Sequence, residues 1–406
     1  MRVLLAHPGT QHSYRLAVQL NRRGLLGEFW TGFALRGGSP AAALAGLARG
    51  WPLLGGLSSR ILREIDAARV HTLPWNEICA LARLRLGGSA LPVLHQRNRR
   101  FQEAIPDDAL QRSDAIIAFD TSAWRLAERA AGRGLPLFLD RTIAHAAGVT
   151  PFLEALSRRY PQWADPPQAR PPCLVAAEDR EHSLATRIVV GGSFARDTLV
   201  ASGVDPAKIR INPYGVDWAE YAAAADAASS PPTSRPLRFL FAGSVIGRKG
   251  VPLLIEAWQR IAPRNAELWL AGYCGKRERA LIPRLPGLRL LGRVPHHDIP
   301  RLYAQTDVFV LPSLIEGFAL VLLEALASGL PIISTRHTGA VELVNDPGLG
   351  CIIEAGSVEA IEAALRHYLA HPPVRRQVGA LAAALAQPFS WTAYGDRWAA
   401  LLQELP

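Results

Sequence analysis

Short apolar runs alternate with longer amphipathic stretches along most of the chain. In the first half these runs predict strands at Arg2–Ala6, Ala115–Phe119, Leu135–Leu139 and Arg187–Val190. In the second half they predict strands from Arg238 onward and at Glu267–Ala271, Leu288–Leu291, Asp307–Leu311 and Pro331–Ser334. Strands that alternate with helices form parallel sheets covered on both faces, so the pattern predicts an α/β fold.

The pattern also predicts two domains. Tyr214-Gly-Val-Asp-Trp, the alanine-rich run after it and Ser229-Ser-Pro-Pro-Thr-Ser-Arg-Pro indicate a linker over residues 212–236. This places one doubly wound domain at residues 1–211 and a second at 237–388. Ligands bind such sheets at the carboxyl ends of the strands, so a cleft between the two domains is the expected site.

The composition is that of a globular protein, with 49% hydrophobic and 20% charged residues. Four separated cysteines indicate reduced thiols, not a disulfide framework or a zinc site. The first apolar run is too short for a signal peptide, and no run reaches the roughly 18 residues of a membrane span. We therefore expect a cytoplasmic protein, either free or at the inner face of the cytoplasmic membrane.

The net charge of +10 is concentrated in residues 1–103, which carry 14 basic and 5 acidic side chains. A local basic field indicates an anionic partner. Within this region, Phe33–Arg63 mixes apolar side chains with four arginines. The segment is either a helical insert packed on the first domain or a peripheral surface that contacts an anionic membrane. Arg97, Arg99 and Arg100 are interpreted as a solvated helix face.

The segment Glu316-Gly-Phe-Ala-Leu-Val-Leu-Leu-Glu324 carries the most informative chemistry. It follows a predicted strand, and we expect Glu316 at a helix start with Glu324 about two helical turns later. Two glutamates at this spacing are usually just solvated side chains. Here the preceding strand and the Gly-Phe pair favour a site for a phosphorylated sugar donor, in which amides bind phosphates and carboxylates bind hydroxyls.

Lysine is rare in this chain, which has 45 basic residues but only Lys208, Lys249 and Lys276 as lysines. Where arginine is the default, a lysine within a motif indicates chemistry that a compact ammonium performs better. Lys249-Gly250 would ordinarily be a surface turn. Its place directly after a predicted strand favours phosphate binding instead.

Six short motifs occur in order along the chain. They are Asn212-Pro-Tyr-Gly-Val-Asp217, Phe241-Ala-Gly-Ser-Val-Ile-Gly-Arg-Lys-Gly250, Leu291-Gly-Arg-Val-Pro295, Glu316–Glu324, Thr338-Gly-Ala-Val-Glu342 and Phe389-Ser-Trp. The ordered set resembles the retaining two-domain glycosyltransferases of the GT-B fold, glycosyltransferase family 4, with Glu316–Glu324 as the E-x7-E motif. The resemblance, looser in the N-terminal half, implies two Rossmann-like domains facing each other across a cleft. A C-terminal helix at 389–406 would cross back to complete the first domain.

The resemblance implies donor-binding roles in the second domain. Lys249, with Arg248, would neutralise the donor diphosphate as a catalytic residue. Glu316 would bind hydroxyls of the donor sugar in catalysis, and Glu324 those of the ribose. The family commonly has arginine directly after the glycine at 243, where this chain has serine. Further donor contacts would come from Ser244, Val294, Gly317, Phe318, Ala319 and Leu320.

In the first domain the resemblance implies that His145 positions the donor sugar near its reacting carbon, as a third catalytic residue. The alternative is a histidine satisfied within the core. The first loop would contact the acceptor through Gly9, Thr10 and His12. For His12 the alternative is a loop residue without chemistry.

Together these features predict a transferase that moves a hexose from a nucleotide-diphosphate sugar to a glycan or lipid-linked acceptor, with retention, in cell-envelope polysaccharide synthesis. An anionic acceptor would suit the basic first domain. The chain has no Asp-x-Asp triplet, so we expect no metal and no cofactor beyond the co-substrate. Nucleic acid is not an expected partner, because no nucleic-acid-binding signature is present. The alternatives are a sugar-nucleotide epimerase or phosphorylase on the same fold, and an inactive sugar-nucleotide-binding partner protein.

Overall fold

The computed structural model describes residues 1–36, 61–164, 171–227, 235–344, 350–371 and 381–405. Within these residues the chain forms a seven-stranded sheet, a six-stranded sheet and a pair of two-residue strands. All recorded strand pairs in the two large sheets are parallel. The predicted α/β fold of two Rossmann-like halves is therefore confirmed.

The first sheet and the short pair together use nine strands. They are β1 (Val3–His7), β2 (Leu26–Thr31), β3 (Leu35–Arg36), β4 (Ile61–Leu62), β5 (Val70–Thr72), β6 (Ala115–Phe119), β7 (Leu137–Arg141), β8 (Arg187–Val190) and β9 (Ile209–Ile211). Their order in the sheet is β5-β2-β1-β6-β7-β8-β9, and β3 pairs with β4. The helices of this half are α1 (Ser13–Arg22), α2 (Pro74–Arg85), α3 (Ala90–Glu103), α4 (Asp107–Gln111), α5 (Trp124–Ala131), α6 (Ala146–Arg159), α7 (Pro172–Leu184) and α8 (Ser193–Ala201).

The second sheet contains six strands. They are β10 (Leu237–Ala242), β11 (Ala266–Ala271), β12 (Leu288–Gly292), β13 (Val308–Leu311), β14 (Ile332–Thr335) and β15 (Gly350–Ile353), in the order β12-β11-β10-β13-β14-β15. The remaining helices are α9 (Trp218–Ala227), α10 (Val251–Ile261), α11 (Lys276–Leu281), α12 (Ile299–Ala304), α13 (Leu320–Ala327), α14 (Ala340–Leu343), α15 (Val358–Ala370) and α16 (Trp391–Gln403).

In each sheet the chain reverses its direction of winding beside the first strand. β1 pairs with β2 on one side and β6 on the other, and β10 pairs with β11 and β13. At such a switch point the loops that leave the two central strands diverge and open a crevice. The loops after β10 and β13 meet there, and they carry Lys249 and Glu316.

Part of the predicted linker is helical. α9 packs against α12 and α13 of the second half. Its Tyr221 is buried, and the Tyr221 ring centroid lies 5.8 Å from that of Tyr303. This part of the segment therefore has a fixed position against the second sheet's helices.

The last helix of the chain returns to the first half. α16 packs against α1, and Arg23 hydrogen-bonds both the Asp396 carboxylate and the Thr392 carbonyl oxygen. Trp398 of α16 is fully buried, with its ring centroid 6.2 Å from that of Phe138 on β7. The C-terminal helix is thus an integral part of the first sheet's helical layer.

Two smaller expectations concern redox state and the membrane. All four cysteines are free thiols, as the sequence predicts. Among the described residues, no helix combines the length and the apolar character that a membrane crossing requires.

We predict that Trp398→Ala lowers the free energy of unfolding by about 3–5 kcal/mol, because it leaves a large cavity under α16. The matched control is Trp75→Ala, since the Trp75 side chain is 74% exposed. Urea unfolding followed by circular dichroism measures both variants. Equal, small losses for the two tryptophans would contradict the packing described for α16.

Candidate functional site

The loop after β10 is pressed against the loop after β13. Gly247–Lys249 form a single 3₁₀ turn that ends at Gly250, whose φ is 75°. A methyl group at Gly250 would lie 2.0 Å from the Pro312 carbonyl oxygen, so only glycine allows both the turn and the close approach. Two hydrogen bonds join the loops. Leu314 N–H donates to the Arg248 carbonyl oxygen at 2.9 Å, and the Arg248 guanidinium donates to the Ile315 carbonyl oxygen at 2.9 Å.

Lys249 and Glu316 form an ion pair at this junction. The two side chains are only 15% and 11% exposed. Ser313 Oγ donates to Glu316 Oε1 at 2.8 Å, and Arg248 Nη1 lies 3.6 Å from the same oxygen. Burial lowers the pKa of the Lys249 ammonium, and the negative charge of Glu316 opposes that shift. The structure thus brings together three residues that the sequence singled out for the donor diphosphate and sugar.

The expected helical spacing of Glu316 and Glu324 is wrong. α13 begins at Leu320, and Ala319 before it has extended backbone angles. Glu316 therefore lies in the loop, four residues before the helix. The loop persists because Phe318 is buried and the Ala319 N–H donates to the Thr338 carbonyl oxygen at 2.9 Å, which anchors the segment before the helix can start.

Glu324 lies in the second turn of α13 and is held by two tyrosines. Tyr303 OH donates to Glu324 Oε2 at 3.0 Å, and Tyr221 of α9 is a second hydrogen-bond partner. Burial raises the pKa of the Glu324 carboxyl, and the two tyrosine hydrogen bonds oppose the shift. Sequence reasoning missed both tyrosines, because they come from two other helices and belong to none of the six motifs.

The segment before α13 offers backbone donors. Within the described residues, the N–H groups of Gly317, Phe318 and Leu320 donate to no protein acceptor, whereas that of Ala319 is used. The first N–H groups of a helix carry a partial positive charge and favour an anion. These amides lie directly after Glu316, so a phosphate bound there would be adjacent to the ion pair.

The remaining predicted donor residues lie in neighbouring loops. Ser244 follows β10, and its carbonyl oxygen accepts from Ile246 N–H at 3.0 Å. Val294 is partly buried in the loop after β12, next to Arg293, whose guanidinium lies 4.7 Å from the centroid of the Tyr273 ring. Among the described residues, no cluster of three or more His, Cys, Asp or Glu side chains is placed to hold a metal ion.

The loop that carries Glu316 also contacts the first domain. A methyl group at Gly317 would lie 1.8 Å from the Thr142 carbonyl oxygen. In the segment that follows the first domain, the Tyr214 ring centroid lies 5.5 Å from that of Phe318. Further along, Ser193 N–H at the start of α8 donates to the Glu342 carboxylate. The two domains therefore touch across the cleft at the donor loop itself.

His337 lies between the first domain and the same loop. Its ring stacks on Phe194 at a centroid distance of 4.0 Å and contacts the edge of Phe152 at 4.6 Å. Its Nδ1 is 2.8 Å from the Leu314 carbonyl oxygen. Burial lowers the pKa of His337. A neutral ring with Nδ1–H would donate to Leu314, two residues before Glu316. Nothing in the sequence pointed to His337 except its position next to the Thr338-Gly-Ala-Val-Glu342 motif.

His145 is not brought together with Lys249 and Glu316 by its recorded contacts. It caps α6, where its Nδ1 accepts from Ala147 N–H and lies 2.6 Å from Ser202 Oγ. Its Nε2 is 4.0 Å from Glu178 Oε1. These partners all belong to the first domain. This matches the alternative interpretation, in which the histidine finds its hydrogen-bond partners within that domain. A catalytic role for His145 stays a prediction.

The side chain of His12 in the first loop is buried. It is only 6% exposed, and its Nε2 is 2.9 Å from the buried Asp140 carboxylate. The His12 ring packs 4.2 Å from that of Tyr214, centroid to centroid, and Tyr394 OH also donates to Asp140. The short loop between β1 and α1 turns this side chain inward. Contact of His12 with an acceptor stays a prediction.

Gly9 and Thr10 remain partly exposed in the first loop. Their carbonyl oxygens hold the loop in place, since that of Gly9 is 2.8 Å from His7 Nδ1 and that of Thr10 accepts from Ser13 Oγ at 2.7 Å. The carbonyl groups are used internally. Contact with an acceptor through these two residues stays a prediction.

Most of the second domain matches a known protein family. Residues 236–371 match the family described as glycosyl transferases group 1. The match includes both members of the Lys249–Glu316 pair. This segment is therefore similar to the group 1 glycosyl transferases.

Two curated relatives illustrate the likeness. The chain is 34% identical to the O-antigen chain mannosyltransferase B of Escherichia coli over 161 residues, which covers 37% of this chain and 42% of that protein. It is 31% identical over 175 residues to the GDP-mannose-dependent monoacylated alpha-(1-6)-phosphatidylinositol monomannoside mannosyltransferase of Corynebacterium glutamicum, covering 40% and 46% of the two chains. The chain spans about half the length of the curated relatives it matches.

Solved structures extend the likeness to the whole chain. Sucrose-phosphate synthase from Thermosynechococcus elongatus has a TM-score of 0.67 at 18% identity, covering 100% of this chain and 98% of its own. Anabaena HepE in complex with UDP-glucose has a TM-score of 0.64 at 16% identity, with both chains fully covered. At this identity the likeness shows the fold alone. That fold is GT-B, as the resemblance implied.

We predict that Gly317→Ala loosens the contact between the domains, since the added methyl group must move roughly 1 Å or more to clear the Thr142 carbonyl oxygen. The expected result is a larger radius of gyration in small-angle X-ray scattering, with unchanged secondary structure. Gly132→Ala is the matched control, because a methyl group there meets nothing closer than 3.6 Å. Identical scattering of the two variants would contradict the closed contact.

We also predict a pH effect at the first loop. Burial lowers the pKa of His7 to about 3, so folded His7 stays neutral while the unfolded chain binds a proton below about pH 6.5. The contribution of His7 to the free energy of unfolding is therefore complete above about pH 6.5 and decreases as the pH falls below that value. Between about pH 7.5 and 5 the loss is roughly 2 kcal/mol, and His7→Asn should remove it. Urea unfolding of both proteins at the two pH values tests this, and parallel losses would refute it.

Proposed function

We propose that the protein is a retaining glycosyltransferase that moves a sugar from a nucleotide-diphosphate sugar to a glycan or lipid-linked acceptor in cell-envelope polysaccharide synthesis. The observation that supports this best is the buried Lys249–Glu316 pair beside unused backbone N–H groups, within a segment similar to the group 1 glycosyl transferases. The arrangement offers a cation, donors for phosphate and an acceptor for sugar hydroxyls in one crevice.

The chemistry follows from where charge develops. As the bond between the sugar and the phosphate breaks, negative charge grows on the departing diphosphate. Lys249, Arg248 and the amides at the start of α13 are fixed in place beforehand, so they stabilise this charge without reorganisation. We propose that these groups suffice without a metal ion, and that the departing phosphate helps to deprotonate the acceptor on the same face of the sugar.

Binding of the donor would give Lys249 and Glu316 new partners in place of each other. Without a donor, Lys249 and Glu316 neutralise each other in a largely buried position. With a donor bound, the phosphates would become the partner of Lys249, and the sugar hydroxyls would donate to Glu316. Glu324 would exchange a tyrosine hydrogen bond for a ribose hydroxyl. Every buried charge would thus keep a partner in both states, as low-dielectric sites require.

The base and sugar of the donor are proposed from relatives. Both mannosyltransferases matched above transfer mannose by name, one of them from GDP-mannose, and HepE was crystallised with UDP-glucose. GDP-mannose is therefore our first candidate donor, and UDP-glucose is the second. A ligand present at 100 times its dissociation constant adds about 2.7 kcal/mol of stability, so a thermal-shift panel of nucleotide sugars identifies the preferred donor.

With the donor identified, Lys249→Ala tests the proposal. We expect its kcat for donor turnover to fall by a factor of about 10²–10³, the usual cost of removing one preorganised stabilising group. Lys276→Ala is the matched control, because Lys276 is exposed on α11. Release of nucleoside diphosphate, measured with a coupled assay in the presence of a glycan acceptor mixture, follows both variants.

The possible outcomes separate the proposal from its alternatives. Isomerisation of the donor in the absence of any acceptor would identify an epimerase. A thermal shift without turnover by the natural protein would identify an inactive binding partner. Full activity of Lys249→Ala would remove the central role assigned to the ion pair.

A further inference from the structure

The helix α2 in the first domain turns its apolar side outward. Trp75, Ile78 and Leu81 are 74%, 51% and 53% exposed, and Leu86, directly after the helix, is 87% exposed. These four are among only thirteen large hydrophobic side chains that are exposed in the described part of the chain. Their concentration in one short segment distinguishes this surface from the scattered apolar residues that are normal for any protein.

The four side chains share one face of the helix. Residues at spacings of three, four and seven lie on the same side, and Cys79 and Ala82 on that side are also exposed. The opposite side contains Ala80, which is buried, and Glu77, which pairs with Arg97 of α3 at 3.1 Å. An ordinary surface helix buries its apolar face and exposes its charges. Part of α2 is arranged in the opposite sense.

Basic side chains surround this apolar face. Arg83 and Arg85 are exposed on α2, and Arg100 is exposed on the neighbouring α3. Within the described residues none of the three forms an ion pair with a carboxylate, whereas Arg97 and Arg99 do. Arg83 does donate a hydrogen bond to the neutral side chain of Gln96 on α3. An apolar face beside arginines that have no carboxylate partner is complementary to a surface that has an apolar interior and anionic groups at its boundary.

The position of α2 relates this surface to the acceptor side of the cleft. Glu77 in its first turn closely approaches Gly32, whose N–H donates to the Pro8 carbonyl oxygen at 3.1 Å. Pro8 begins the first loop, which the sequence assigned to the acceptor. α2 therefore starts beside the carboxyl edge of the first sheet, where the acceptor would enter.

We propose that the outer face of α2, formed by Trp75, Ile78, Leu81 and Leu86 with the flanking arginines, binds the surface of an anionic lipid bilayer. The sequence analysis left Phe33–Arg63 open as either a packed helical insert or a membrane contact, and residues 37–60 of that segment lie outside the described residues. The contact proposed here uses a different segment. It also favours a lipid-linked acceptor, a step that rests on the proposed function, whereas the membrane contact itself does not.

The test is co-sedimentation of the full chain with vesicles. We expect binding to vesicles that contain phosphatidylglycerol, weak binding to pure phosphatidylcholine, and a decline with added salt. Arg83→Gln combined with Arg85→Gln should weaken binding roughly thirtyfold, since each charge contributes near an anionic surface. The double variant Trp75→Ser and Ile78→Ser should weaken binding at least as much, because it removes the apolar contact.

Matched controls exist elsewhere on the surface. Leu381→Ser changes a side chain that is 53% exposed, as Leu81 is, and Arg301→Gln changes an exposed arginine that has no recorded ion pair. Both should leave vesicle binding unchanged. Because all changed side chains are exposed, unchanged thermal midpoints should show that each variant is folded.

Three results would overturn the inference. Binding that is equal for both lipids, or that is unaffected by the α2 changes, would exclude this face as the membrane contact. A natural protein that ignores vesicles but is a dimer, with a monomeric Trp75→Ser and Ile78→Ser variant, would assign the face to a second copy of the chain. Donor turnover in solution, without vesicles, is measured separately, so failure of the proposed function is distinguishable from failure of this inference.

Discussion

The site depends on the ion pair between Lys249 and Glu316, whose two charges are both largely buried. Removing either charge from water alone costs several kcal/mol, and mutual attraction offsets this only when the remaining hydrogen-bonding capacity is satisfied. Ser313 Oγ donates a hydrogen bond to Glu316, and the Arg248 guanidinium places a second positive charge 3.6 Å from the same carboxylate oxygen. The ion pair therefore keeps an empty site charged and preorganised. A free buried lysine would lose its proton more readily, and an ammonium is what a diphosphate requires.

The pair exists because of strand order. Lys249 and Glu316 are 67 residues apart in sequence, yet β10 and β13 are neighbours in the sheet, so their following loops meet. Gly250 then allows the loops to approach within van der Waals contact. Sheet topology sets the approximate distance, and one glycine permits the final contact. The chemistry of the site is thus a consequence of the fold at the switch point.

Much of this could be predicted from the sequence, for a physical reason. Apolar strands such as β6 and β13 are buried on both faces, and their continuous apolar runs are visible without knowledge of partners. Lys249 and Glu316 were predictable because each follows such a strand. The tyrosines around Glu324 and the aromatic contacts of His337 were not, since they join helices and loops far apart in sequence. The turn between Glu316 and α13 was also missed, because it depends on the Thr338 carbonyl oxygen across the loop.

Several contacts between the domains converge on one short loop. Thr142 meets Gly317, and Phe194 meets His337, whose Nδ1 lies within hydrogen-bonding distance of the carbonyl oxygen of Leu314. All of these positions flank Glu316 on the segment between β13 and α13 or bond directly to it. Movement of the first domain must therefore change the surroundings of the carboxylate that pairs with Lys249. A ligand stabilises whichever arrangement of the two domains it binds more tightly. A donor bound at this loop would therefore favour the arrangement in which the two domains are in contact. The same linkage works in reverse, so that an acceptor held by the first domain would strengthen donor binding without touching it.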